Sequence, residues 1–290
     1  MQGFEIASSA FGLLEMKSNK SPRSLTAGAA AILATASPAA KASESATLAR
    51  LWSAGALPIG DSPPPPRPAR PQRPPLRPPR EMPRRRNFGS PAGRAALLHA
   101  LAHIELNAID LAWDLLARFA AEDLPRRFYD DWVSVAAEEA RHFTLLARRL
   151  EKFGRAYGDM PAHDGLWEAA CATAGDLVAR LAVVPLVLEA RGLDVTPAMA
   201  ARLDAAGDHD SASILRRILA DEIGHVRVGR RWFEWLCRRE GLEPTAVFRD
   251  RVRRCFKGEL KPPFNRAARE AAGLPAAYYE PLASDGSDSG

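Results

Sequence analysis

A repeated spacing of acidic and imidazole side chains is the feature that most constrains how this chain can fold. The pattern Glu-x-x-His occurs twice, and each copy follows a lone glutamate by 33 or 34 residues. On an α-helix the pattern places both side chains on one face, one turn apart, where they can bind the same metal ion. The six residues are Glu105, Glu139, His142, Glu189, Glu222 and His225.

Apolar residues around these six positions recur at helical intervals, so the sequence predicts an all-α fold. We predict four long helices over about residues 92–121, 125–153, 166–191 and 211–239. The third carries irregular signals, because Pro185 lies one turn before Glu189 and should kink the helix there. We expect this helix to end at Gly192 and a separate short helix to begin after Thr196 and Pro197.

The chain divides into four regions around these helices. Residues 1–60 form an N-terminal helical extension, residues 61–90 form an extended segment, residues 91–241 hold the four-helix bundle, and residues 242–290 add a helix and a tail. The extended segment contains 11 of the 24 prolines, which excludes regular helix or sheet. Three interpretations of this segment are open. It is a stiff linker, a ligand for a proline-binding module, or a segment that wraps along the helices with its arginines against acidic residues. We favour the third interpretation.

Charge argues against a large nucleic-acid-binding face. The net charge is +5, but residues 61–90 contribute +6 and leave −1 for the rest of the chain. We therefore expect a small-molecule partner, with RNA bound through the arginine segment as an alternative. Three cysteines without a disulfide or zinc spacing indicate the reducing cytoplasm. No apolar run approaches the roughly 20 residues that cross a bilayer, so we expect no membrane partner.

Converging carboxylates need a cation, because each buried charge otherwise costs several kcal/mol. Oxygen ligands with one imidazole per metal suit iron or manganese, which predicts two Fe ions, with Mn or mixed Mn/Fe as alternatives. The two ligand sets would be Glu105, Glu139 and His142, and Glu189, Glu222 and His225, with Glu139 and Glu222 bridging. Glu138 and Asp221 precede the motif glutamates, but only Glu139 and Glu222 lie three residues before a histidine. The alternative is that all six are surface charges on amphipathic helices.

Several long segments resemble those of a bacterial family of uncharacterised ferritin-like proteins. They are HIELNAIDLAWD, FYDDWVSVAAEEARHF, YGDMPAHDGLWEA, VVPLVLEARGLDVTP and ILADEIGHVRVGRRWF. The resemblance covers about residues 65–265 and implies a ferritin-like four-helix bundle whose dinuclear metal centre is carried by the same six residues. The family supplies no substrate, so the function has to be argued from the site.

Three classes of function are compatible with such a site. We favour an O₂-dependent oxidoreductase, a hydroxylase or oxygenase, that takes electrons from a donor the sequence does not identify. The first alternative is a ferroxidase or metal-handling protein, although the long terminal additions argue against a closed storage shell. The second is a non-catalytic scaffold with a metal-stabilised bundle. The sequence leaves the oligomeric state open.

Overall fold

The computed structural model describes residues 22–78, 81–82 and 88–283, and over these ranges the chain is helical, without a β-strand. The predicted all-α class is confirmed. The α-helices are α1 (Leu25–Ala34), α2 (Pro38–Ser53), α3 (Pro91–Arg118), α4 (Arg126–Glu151), α5 (Gly165–Ala172), α6 (Leu177–Val183), α7 (Ala190–Ala205), α8 (His209–Arg239), α9 (Pro244–Cys255), α10 (Arg266–Ala271) and α11 (Ala276–Tyr279). A π-helical segment, Val184–Glu189, joins α6 to α7.

Helix α3 forms the centre of the core, because most of its circumference is buried. Ser90 caps its start by accepting a hydrogen bond from the Gly93 amide at 3.1 Å, and Pro91 occupies the first turn, where no helical hydrogen bond is lost. By length and composition α3 could cross a membrane, but 83% of its apolar window is buried inside the protein, as in a core helix. It packs against α1 and α4, and α8 packs against α4 and α7.

The predicted third helix, residues 166–191, is divided into several elements. α5 ends at Ala172, and α6 starts afresh because the Asp176 carboxylate caps it, accepting a hydrogen bond from the Ala179 amide at 2.8 Å. The departure from α geometry expected at Pro185 is observed as the π-helical segment that ends at Glu189.

Two further predictions about this region are wrong: the helix does not end at Gly192, and no separate helix begins after Thr196. Helix α7 continues through Pro197 to Ala205. Proline leaves the carbonyl four residues earlier, that of Leu193, without its helical donor. The side-chain amide of Asn265 donates to this carbonyl at 3.1 Å, so a residue from the C-terminal region satisfies the acceptor that proline leaves free.

A glycine on α8 lets the π-helical segment approach closely. A Cβ atom added at Gly229 would lie 2.3 Å from the Cβ of Pro185, so a larger residue would push the two elements apart. This contact holds α8 against the segment that ends at Glu189.

The proline- and arginine-rich segment lies along the helices over its described residues 61–78. The Ala69 amide donates to the Leu33 carbonyl at 2.7 Å, and the Arg77 amide donates to the Ala162 carbonyl at 2.8 Å. These backbone hydrogen bonds attach the segment to α1 and to the loop before α5, as the third interpretation predicts.

Ion pairs also attach this segment to the core. The Asp110 carboxylate on α3 is fully buried; it pairs with the buried ammonium of Lys41 on α2 and lies 2.8 Å from the guanidinium of Arg70. Arg70 is therefore committed to a partner inside the protein rather than to a ligand such as RNA phosphate. Arg80 and Arg84–Arg86, which also belong to the arginine segment proposed as an alternative RNA contact, lie outside the described residues.

Candidate metal centre

All six residues predicted from the sequence converge in the core. Glu105 comes from α3, Glu139 and His142 from α4, Glu189 from the end of the π-helical segment, and Glu222 and His225 from α8. Ligand atoms within 4.8 Å of one another form two groups: Glu105, Glu139, His142 and Glu222, and Glu189, Glu222 and His225. Five of the six are buried and Glu189 is half-buried, so the protein contains a buried Glu/His cluster that could hold a metal ion.

The Nδ1 atom of each histidine faces the carboxylates. His142 Nδ1 lies 3.3 Å from Glu105 Oε2 and 3.4 Å from Glu139 Oε2. His225 Nδ1 lies 3.0 Å from Glu139 Oε1 and 3.5 Å from Glu222 Oε1. Glu139 thus contacts both imidazoles, and Glu222 belongs to both groups.

A second pair of carboxylates lies behind the histidines, and sequence reasoning did not assign it a role. His225 Nε2 lies 2.8 Å from Glu138 Oε2, and His142 Nε2 lies 3.1 Å from Asp221 Oδ2. Each contact crosses between α4 and α8. An Nε2–H that donates to a carboxylate leaves the Nδ1 lone pair for a metal and orients the ring. The sequence signal for this second pair of carboxylates was two adjacent acidic residues before each motif histidine, Glu138-Glu139 and Asp221-Glu222.

Burial and mutual repulsion make the metal-free cluster hold protons. Burial and the neighbouring carboxylates raise the pKa values of Glu105, Glu189 and Glu222 above the ordinary range. Burial alone would lower the pKa of His142, but its contacts with Glu105 and Glu139 outweigh burial and raise it to about 11. A bound divalent cation would replace these protons, because it neutralises the same carboxylates.

Several polar atoms in the cluster make no hydrogen bond, and their chemical type indicates whether the residues fit a metal. Both Glu139 oxygens, Glu189 Oε2 and His225 Nδ1 are buried and make no hydrogen bond. Buried polar atoms without partners are costly and uncommon in native proteins. Carboxylate oxygens and an imidazole nitrogen are metal donors, so the residues fit the group that the sequence predicts.

A cavity of about 150 Å³ lies beside the cluster, bounded by α3, α4, α5, the π-helical segment, α7 and α8. Four glutamates form part of its wall: Glu105, Glu139, Glu189 and Glu222. A molecule in this cavity would therefore lie against the carboxylates that could bind metal.

The residues of the site lie within a region of sequence that this chain shares with other proteins. The family model described as "Protein of unknown function (DUF455)" matches residues 34–280, which include all six cluster residues and the second pair of carboxylates. An uncharacterized protein of Haemophilus influenzae is 43% identical over 213 residues, which cover 70% of this chain and 72% of the relative. No solved structure matches the chain.

Proposed function

Because this chain belongs to the DUF455 family of proteins of unknown function, we propose its activity from the site: a dinuclear metal protein that activates O₂ to oxidise a small molecule. The main support is the convergence of four glutamates and two histidines from separate helical elements, with several buried oxygen and nitrogen atoms that make no hydrogen bond. We also propose that α3, α4, α8 and the stretch from α6 through α7 correspond to the ferritin-like four-helix bundle that the resemblance implies.

The proposed centre takes two metal ions. Glu105, Glu139 and His142 would bind one, and Glu189, Glu222 and His225 the other, with Glu139 and Glu222 bridging. This donor set is rich in oxygen and contains one imidazole per metal, which favours iron, with manganese or a mixed pair as alternatives. When bound, iron supplies the redox and Lewis-acid chemistry of O₂ activation.

The protein's own residues would prepare this chemistry in two ways. Glu138 and Asp221 hold the imidazoles with Nδ1 toward the metal positions. Five of the six cluster residues are buried, which would limit the access of bulk water and so reduce side reactions. In a hydroxylation, one oxygen atom enters a substrate C–H bond and the other leaves as water, with two electrons from a separate reductase and two protons from solvent.

Two alternatives account for less of the site. A ferroxidase or metal-handling protein uses the same ligands but has no use for an apolar cavity beside them. A non-catalytic scaffold would keep several buried carboxylate oxygens without hydrogen bonds, at a cost in stability and with no function for them. We further propose a cytoplasmic location, since Cys171, Cys237 and Cys255 are all unpaired thiols.

Anaerobic loading with Fe²⁺ followed by O₂ exposure tests the proposal. We expect about two iron ions per chain, with absorption and Mössbauer spectra that change on exposure to O₂. Glu189→Gln should lose at least one metal and remain helical by circular dichroism. Glu151→Gln, an exposed position at the end of α4, is the matched control and should bind metal normally. Metal content below about a tenth of an ion per chain after loading would refute the proposal.

A further inference from the structure

The cavity beside the Glu/His cluster has hydrocarbon walls. Aliphatic side chains from three elements, α3, the π-helical segment and α8, form much of them: Leu101, Ala108, Leu111, Val184, Leu188 and Ile218. Ala108 lies one helical turn after Glu105, and Leu188 is adjacent to Glu189. A molecule that contacts these walls therefore lies next to the proposed metal ligands.

Apart from the glutamates, two polar side chains border the cavity. Arg191 lies in an exposed position; its guanidinium donates to the Lys261 carbonyl at 2.7 Å and lies 3.6 Å from the Asp194 carboxylate, so it is already engaged. Thr196 is buried and brings one neutral hydroxyl to the wall. The cavity thus offers a ligand one hydroxyl and no uncommitted cation.

Charge at the acidic end of the cavity also favours a neutral ligand. Four ionised glutamates balance two divalent cations, so the loaded centre has no net charge to offer. A charged ligand would lose its hydration on entering and find no compensating partner, which is costly. An apolar ligand gains from leaving water, roughly in proportion to the area it buries.

We propose that this cavity binds an uncharged hydrocarbon, or the hydrocarbon end of a larger molecule, about the size of a benzene ring. An engineered cavity of about 150 Å³ lined by aliphatic and aromatic side chains binds benzene. This cavity has the same volume, and its wall away from the four glutamates is mostly apolar. The substrate class deepens the proposed function and rests on it for oxidation, but the binding itself does not depend on O₂ chemistry.

Fluorobenzene observed by fluorine-19 NMR is the probe, with Mn²⁺-loaded protein and with metal-free protein. We expect saturable binding to both. In the Mn²⁺-loaded protein the bound probe should also show enhanced paramagnetic relaxation, because the cavity is lined by the ligand residues themselves. 4-Fluorobenzoate, of similar shape but charged, should bind at least about tenfold more weakly.

Variants that fill the cavity test its location. Gly192 lines it, and an added Cβ there meets no atom within 4 Å, so Gly192→Phe can place a ring at the cavity without a clash at Cβ. We expect at least about a tenfold loss of fluorobenzene affinity. Ala108→Val narrows the cavity from α3 and should also weaken binding, which keeps the test valid if the first variant is unstable. Ala201→Phe, exposed on α7, is the matched control and should bind normally.

The outcomes separate this inference from the proposed function. Absence of saturable fluorobenzene binding, equal affinity for 4-fluorobenzoate, or unchanged binding in folded Gly192→Phe and Ala108→Val would overturn the inference while leaving metal binding intact. Saturable binding with no iron uptake or no reaction with O₂ would refute the proposed function and support the cavity as a hydrocarbon site.

Discussion

The carboxylate behind His225 allows a prediction with a definite magnitude. Glu138 accepts a hydrogen bond from His225 Nε2 at 2.8 Å and stabilises the ring orientation that points Nδ1 at the cluster. Removal of such a partner typically lowers metal affinity 10- to 100-fold, which is about 1.4–2.7 kcal/mol. Because the Glu138 side chain is 32% exposed, solvent screens its charge, and we expect Glu138→Ala to lie near the lower limit, about tenfold.

Glu138→Gln separates orientation from charge. Glutamine keeps an oxygen that can accept from His225 but loses the negative charge, so its affinity should fall between those of the wild type and Glu138→Ala. The assay is competition for Mn²⁺ against a chelator of known affinity, with free Mn²⁺ measured by electron paramagnetic resonance. Glu151→Gln on the same helix controls for loss of one negative charge. Wild-type affinity, within about twofold, in a folded Glu138→Ala protein would refute the reasoning.

Three more predictions concern stability. Lys41→Met leaves the buried Asp110 carboxylate with only Arg70 as its cationic partner and should lower the free energy of unfolding by about 3–5 kcal/mol in urea titrations; a change under about 1 kcal/mol would contradict the importance of the Lys41–Asp110 pair. Gly229→Ala forces a contact with Pro185 and should cost about 1–3 kcal/mol, seen as a lower melting temperature. In chelator, the melting temperature should fall from about pH 6.5 toward 11, because the pKa of His142 is raised to about 11 in the folded protein and its stabilising proton is lost over that range. Saturating Mn²⁺ should reduce the fall over the lower part of this range, where Mn²⁺ stays in solution, and a rise without metal would contradict the assignment.

Local sequence was sufficient to place the six cluster residues on helices and on the same faces as the apolar stripes. Helical periodicity is a property of neighbouring residues, so the phase of Glu139 and His142 could be predicted without knowing what packs against them. The same holds for the bounds of α3, α4 and α8, which lie within three residues of the prediction.

The path of the chain near Glu189 was decided by distant contacts. Pro197 and Gly192 are local signals for helix ends, but α7 continues through both, and Asn265 donates to the carbonyl that Pro197 leaves free. Gly229 on α8 accommodates Pro185 in the π-helical segment. The local signals for a helix end were overridden because a residue far along the chain compensated for the proline.

The sequence by itself determined the helical class and the six acidic and imidazole positions. Only the tertiary structure decided that Glu138 and Asp221 contact the histidine of the opposite helix, that buried Asp110 pairs with Lys41 and Arg70, and that a largely apolar cavity borders the cluster. The physical reason is that a residue's phase on its own helix follows from local spacing, whereas the partner it meets depends on how separate helices pack.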